Sequence, residues 1–385
     1  MNFILIIIPG HTGISFRRFI VKKIVFLILM TVAVVGVYAG GKADTGSKPA
    51  AAPAVVEATS LTGAGATFPA VLYTKWFSEY AKLTKVEINY QGIGSGGGIK
   101  SISDQTVDFG ASDGIMSADQ LKAAKGGALL HIPMTMGGVV ATYNIPELAG
   151  KDALKFTAET LSGMFYGDIT KWNDPKLVAD NPSLASIDKA ITIVHRSDGS
   201  GTSNIWTSYL SAVNTKWAKE IGSGNSVNWP VGLGGKGNEG VAGNVKQTPY
   251  TVGYVELAYA KQNSLPYALL KNSAGNFIAA TTASVSLAAQ GVTLPDDMKI
   301  MLVNSSNPQA YPVSAFTWLL VYQAQTDAGK AASLSRMVWW ALHSGQSFCS
   351  GLDYAPLPAD AVKKAEVLLK SVTINGKPAL PADVK

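Results

Sequence analysis

Three short glycine- and hydroxyl-rich turns sit far apart in this chain, and the residue spacing after each is helical. They are Gly63-Ala64-Gly65-Ala66-Thr67-Phe68, Gly94-Ser95-Gly96-Gly97-Gly98 and Arg196-Ser197-Asp198-Gly199-Ser200-Gly201-Thr202. Two of them follow strand-like segments directly: Val86 to Tyr90 alternates, and Ile191 to His195 is rich in β-branched residues. Repeated passage from strand through tight turn to helix constrains the chain to layered α/β architecture. It also sets out a chemistry. A helix start presents unpaired N–H groups and a partial positive charge, so each turn is an anion site in waiting. Converging on one small oxyanion, the three would share a single full positive charge, that of Arg196.

The rest of the chain fits this reading. With 385 residues there is material for two domains and a large core, and the low charged fraction of 15% argues against disorder. Leu72, Tyr73, Trp76, Phe77 and Tyr80 give an amphipathic helix after Pro69, and Ile99 and Ile102 continue the second turn into a helix. Val107 to Ala111 is a strand ending at Ser112-Asp113, Ile132 to Tyr143 is a longer one, and Asn204 to Val213 is the helix of the third turn. Gly232 to Gly243 is expected as a glycine-rich loop opening a further helix, with a short strand at Gly253-Tyr254-Val255. Ser333 to Ser344 and Pro358 to Ser371 are helical by spacing. No internal repeat of solenoid length is present.

Residues 1–39 have the form of an export signal. Arg17, Arg18, Lys22 and Lys23 precede an apolar run from Ile24 to Val37, and Val37-Tyr38-Ala39 offers small residues for cleavage. A retained anchor is the alternative, but the run is short of the about 20 residues a spanning helix needs. Removing this segment lowers the net charge from +6 to about +2, and with no basic run elsewhere nucleic acid is not an expected partner. Residues 40–60 are expected to be a flexible linker, with order beginning near Leu61. Cys349 is the single cysteine, so neither a disulfide, a cysteine metal cluster nor a lipid-anchoring cysteine is encoded, and no cofactor is expected.

Individual residues carry competing readings. Thr67 can give its hydroxyl to a ligand or simply cap a helix. Gly92-Ile93-Gly94-Ser95-Gly96-Gly97 matches a dinucleotide fingerprint formally, but lies outside the first βα unit and places the Ser95 hydroxyl where close backbone packing is usual. Gly110-Ala111-Ser112-Asp113-Gly114 matches a nucleophile elbow, yet His195 stands beside Arg196, a poor place for a general base. Asp113 has a sharper role. A carboxylate repels a bound anion unless that anion carries a proton to donate; phosphate does so at neutral pH and sulfate does not. Arg196 and Asp198 are spaced to share a strand face, so Asp198 can hold the guanidinium while its fork meets oxyanion oxygens. Ser200, Gly201 and Thr202 then add two hydroxyls and free N–H groups.

Taken together, Leu61 to Pro69, Tyr90 to Gly97, Val107 to Asp113, Arg196 to Ser203 and Gly234 to Val241 closely resemble the five hallmark segments, in order, of the periplasmic phosphate-binding proteins of bacterial phosphate ABC importers. The resemblance spans Leu61 to Val372. It implies a two-lobed periplasmic-binding-protein fold with hinge strands, phosphate in the cleft and no catalysis. By motif position Ala66, Thr67, Phe68, Ser95 and Asp113 would bind from one lobe, and Arg196, Ser200, Gly201 and Thr202 from the other, with Asp198 supporting Arg196. Gly96 stands where the family often has a second serine. The expected lobes are 61–133 with 311–385, and 134–310. The implied partners are inorganic phosphate and a membrane permease, with the protein a periplasmic monomer. A binder of another oxyanion such as sulfate or molybdate, and a secreted phosphoester hydrolase, are the alternatives.

Overall fold

The computed structural model describes residues 55–384; the expected signal segment and most of the expected linker lie outside them. One eight-stranded sheet organises the chain: β1 (Ser60–Gly65), β2 (Glu87–Gly92), β3 (Phe109–Ser112), β4 (Leu129–Asn144), β5 (Thr192–Arg196), β6 (Leu233–Gly235), β7 (Thr251–Glu256) and β8 (Ser314–Tyr322). Their spatial order is β2-β1-β3-β8-β4-β7-β5-β6. The helices that matter for the site are α1 (Ala70–Thr84), α2 (Ser95–Ser103), α3 (Gly201–Val213), α4 (Gly237–Gln247), α5 (Leu257–Gln262), α6 (Ala328–Leu342) and α7 (Ala359–Lys370).

The order is two copies of one pattern laid edge to edge. In the first half, β1, α1, β2, α2 and β3 form a parallel trio with β1 in the middle. In the second, β5, α3, β6, α4 and β7 do the same with β5 in the middle. The long strands β8 and β4 lie between the trios, antiparallel to each other and to the trio each adjoins. In such sheets ligands sit outside the carboxyl ends of the strands, where the strand order reverses. Here each half has one such end.

Local chemistry explains the elements. Leu72, Tyr73, Trp76, Phe77 and Tyr80 form the buried stripe of α1, which stops at Lys85 in the left-handed conformation with φ 64°. Almost all of β4 is buried, which suits a strand covered on both faces. Its residues Leu129 to Gly138 pair with β8, and Val139 to Asn144 pair with β7, so the strand changes partner at Gly138/Val139. Gly137 has no Cβ because the Phe68 ring fills that space, with Cζ 2.5 Å from where the atom would stand.

Two boundaries differ from expectation. The chain is ordered before Leu61: Glu57 pairs with Arg336 of α6 at 2.7 Å, and the Ala58 N–H donates to the Gly329 carbonyl at 3.1 Å. The glycine-rich stretch 232–243 is less a loop than expected, since α4 begins at Gly237 within it.

Candidate functional site

The first turn, 66–68, is held from behind by three tyrosines. Tyr90 of β2 donates its hydroxyl hydrogen to the Ala66 carbonyl, Tyr259 of α5 to the Thr67 carbonyl and Tyr354 to the Phe68 carbonyl, each at 2.6 Å. A planar peptide that sends its carbonyl one way sends its N–H the other. Fixing the carbonyls of Ala66 and Thr67 therefore aims the N–H groups of Thr67 and Phe68 away from the tyrosines. The Thr67 hydroxyl does not cap α1, whose N-cap is Pro69 with no side-chain bond. It accepts from Asn238 Nδ2 at 2.8 Å and from the Asn238 N–H at 3.2 Å.

Ser95 opens α2 and faces Asp113 just beyond β3. Its hydroxyl accepts the Asp113 N–H at 3.2 Å and lies 3.4 Å from Asp113 Oδ2. Thr317 donates to Asp113 Oδ1 at 2.7 Å. A register irregularity between Thr317 and Trp318 in β8 places it there, a common use of bulges beside sites. Asp113 is only 1% exposed. Burial pushes its carboxyl up to about 7, against the Thr317 hydroxyl, the Arg196 charge and the Ser95 hydroxyl, which all favour the ion.

From the other half, Arg196 ends β5. Its N–H donates to the Tyr254 hydroxyl at 3.0 Å, and its Nε and Nη2 make a forked pair with Asp198 at 2.7 and 2.5 Å. Nη1 points to the Thr202 hydroxyl at 3.4 Å. Burial raises the Asp198 carboxyl, but Arg196 and the Gly237 N–H outweigh it and hold the group below its ordinary value. Ser200 caps α3 by accepting the Ser203 N–H at 3.0 Å, which leaves its own hydrogen to donate. Gly201 follows because a Cβ there would collide with Ser95 Oγ and stand 2.6 Å from Asp113 Oδ2.

The structure thus brings Ala66, Thr67, Phe68, Ser95 and Asp113 from one half against Arg196, Asp198, Ser200, Gly201 and Thr202 from the other. The two sides touch: the Gly96 N–H donates to the Gly199 carbonyl at 2.8 Å, and Asn238 Nδ2 bridges Thr67 and Thr202, at 2.8 and 3.1 Å. Among the described residues, the N–H groups of Thr67, Phe68, Ser95, Gly201 and Thr202 donate to no protein acceptor. With the one guanidinium these donors form a cradle for an oxyanion, and Asp113 is the acceptor set into it.

The decoys resolve on geometry. Ser112 is locked to Gly114, donating to its carbonyl at 2.6 Å. His195 stacks on Trp229 with ring centroids 4.9 Å apart, and His131 accepts the Met116 N–H at 3.2 Å, so neither serves Ser112. The Gly92–Gly97 turn packs onto Gly199, where a dinucleotide would need open space. Among the described residues no cluster of His, Cys, Asp and Glu could hold a metal ion.

Sequence reasoning missed Asn238, Thr317, Tyr259 and Tyr354. Asn238 had a signal, since it stands in the first turn of α4 as Ser95 does in α2. Thr317 had only its polarity within an apolar run.

Two βαβαβ halves meeting at one site are the architecture of a solute-binding protein, and residues 48–334 match the family model of the PBP superfamily domain. The chain belongs to the PstS family of phosphate-binding proteins within that superfamily. It is 42% identical to the phosphate-binding protein PstS of Pasteurella multocida over 82% of this chain and 91% of that protein. It is 43% identical to PstS of Haemophilus influenzae over 80% and 91%. A solved phosphate-binding protein from Stenotrophomonas maltophilia shares the fold, with a TM-score of 0.61 at 18% identity over 80% of this chain and 94% of that one. The two-lobed α/β fold expected from the sequence is the fold of the family.

Proposed function

We propose that the protein binds inorganic phosphate in this cleft and delivers it to the membrane permease of a phosphate ABC importer. The observation that carries the reading is the pairing of opposites in one buried cradle. Arg196 and the free N–H groups suit the charged oxygens of phosphate, while Asp113 suits an oxygen that bears a proton. Ala66, Thr67, Phe68, Ser95, Asp113, Arg196, Ser200, Gly201 and Thr202 hold the ligand in this reading, and Asp198 holds Arg196 flat. The lobes are 61–133 with 311–385, and 134–310, and they close about β4 and β8, because ligand contacts from both lobes are complete only when shut. The protein is a receptor and not an enzyme; no bond is made or broken.

An exported, periplasmic monomer freed of residues 1–39 fits this role. Among the described residues, no helix is long and apolar enough to cross a membrane. Calorimetry with phosphate and with sulfate at pH 8 tests the reading: phosphate binds and sulfate does not. A preference for sulfate removes the role given to Asp113.

A further inference from the structure

A short polar loop of the second half, Gly222-Ser223-Gly224-Asn225-Ser226-Val227-Asn228, lies against the site although no motif marks it. It is pinned at two points. At its base the Gly222 N–H donates to the Trp217 carbonyl, and Trp217 Nε1 donates to the Gly222 carbonyl, both at 2.9 Å. Farther along, the Gly224 N–H donates to the Thr207 hydroxyl at 3.1 Å. Thr207 is wholly buried and gives its own hydrogen to the Ser203 carbonyl at 2.7 Å. Both residues belong to α3, the helix that opens with Gly201 and Thr202. The loop is therefore fastened to the element that presents donors to the cleft.

Its next residue reaches the site through the backbone. The Asn225 carbonyl accepts the Ser200 N–H at 2.7 Å. The peptide that supplies this N–H also carries the Gly199 carbonyl, and a planar trans peptide sends the two opposite ways. Holding the N–H toward Asn225 turns the Gly199 carbonyl away from the loop. There it accepts the Gly96 N–H of the opposite half at 2.8 Å. Gly96 is the second residue of α2, so the second half supplies a partner to one of the N–H groups that a helix start leaves over.

The seam made this way is close. A Cβ on Gly96 would stand 3.1 Å from the Gly199 Cα, and one on Gly199 would stand 3.2 Å from the Gly96 Cα. The Asn225 side chain meets the opposite half as well: a Cβ on Gly114, the residue after Asp113, would collide with its Oδ1.

We propose that the 222–228 loop is a clasp on the shut cleft: Asn225 holds the 199–200 peptide so that its carbonyl joins Gly96 across the halves. Asn225 is a positioning residue, and it acts through the same turn whose Ser200 hydroxyl meets the ligand. Its part in retaining the ligand rests on the phosphate reading; its hold on the 199–200 peptide does not.

The test has two arms. The first is amide hydrogen exchange at Ser200 in the ligand-free protein, read relative to the amides of β5. Thr207→Val deprives the Gly224 N–H of its acceptor, and exchange at Ser200 becomes about fivefold faster or more, the worth of one ordinary hydrogen bond. Thr207→Ser keeps the hydroxyl and stays within about twofold of the unchanged protein. A Ser200 amide that is unprotected in the unchanged protein, or equally protected in Thr207→Val, overturns the proposal. Should Thr207→Val not fold, Asn225→Gly frees the same carbonyl from outside the core and must lower the same protection. The second arm is stopped-flow tryptophan fluorescence with phosphate. Thr207→Val releases phosphate about fivefold faster while entry stays within about twofold. Gly199→Ala opens the seam directly, so adding Thr207→Val to it changes release by less than about twofold, the non-additivity of two changes that act through one contact. Unchanged release by Thr207→Val, or its full effect on top of Gly199→Ala, overturns the clasp. If even the unchanged protein does not bind phosphate, the functional reading fails while the first arm still decides the hold on the 199–200 peptide.

Discussion

Arg196 and Asp113 meet the same cleft under opposite constraints. Arg196 is 3% exposed and spends two of its donors on Asp198, so its charge is partly matched before any ligand arrives. What is left is the Nη1 edge beside Thr202. Arg196→Ala removes that edge and strands the Asp198 carboxylate, a loss typically of about 3–5 kcal/mol for a broken buried pair. Phosphate affinity should fall at least about 100-fold by calorimetry. Asp113 contributes a switchable acceptor. With its carboxyl near 7, it is ionised at pH 8 and largely protonated at pH 5.5. On the phosphate reading, an ionised Asp113 faces sulfate acceptor to acceptor, and a protonated one can donate to it. Sulfate binding should therefore strengthen about tenfold or more from pH 8 to pH 5.5, and Asp113→Asn should bind sulfate alike at both. The same raised value makes Asp113 lower ligand-free stability as pH rises from about 4 to 7, because the folded chain holds that proton more tightly. Asp113→Asn abolishes this share of the slope in a urea series.

At the scale of elements, the glycine turns work by proximity as much as by conformation. Gly201 starts α3 against Ser95 and Asp113 of the opposite half, and Gly94 leaves room for Asp198. A methyl at 201 collides only when the halves are together. Gly201→Ala should weaken phosphate binding by about 5- to 100-fold, matching an overpacking cost of about 1–3 kcal/mol, while the urea midpoint of the ligand-free protein moves little. An equal loss in both measurements would place the strain within one half. These turns were legible in the sequence because strand, glycine and helix follow one another within a few residues. The equivalence of the two halves was not. β1 to β3 and β5 to β7 share a topology without sharing residues, and insertions between β5 and β6 stretch one copy. Nor could the spacing show that Thr317 leaves the regular register of β8, since a bulge is a property of two paired strands. Asn238 was half visible: its segment was singled out, but its contact to Thr67 spans 171 positions and depends on how the halves meet.

For the whole molecule, the contacts that bear on closure are those that cross from one half to the other at the site. The Gly96–Gly199 bond and the Asn238–Thr67 bond cross between the halves, while β4 pairs first with β8 and then with β7 and so carries the chain from one half to the other. Closure of such a molecule is a balance of a few kcal/mol, so a ligand can tip it by binding the shut form better. The family and the fold were readable from ordered motifs; which residues bar the exit was not, because that depends on the closed arrangement. Asn238→Ala separates the two. It deletes the bond to Thr67 across the shut cleft, and it also removes two bonds within the second half, the one to Thr202 and the one from the Glu256 N–H. The second loss lowers folding stability by about 1–3 kcal/mol in every state. The first acts only after the halves have met. Phosphate should still enter at the unchanged rate, because the open form lacks the bond to Thr67, but leave about tenfold faster or more. Stopped-flow tryptophan fluorescence reads both rates, and a slowed entry with unchanged exit would show that Asn238 shapes the open cleft and not the latch.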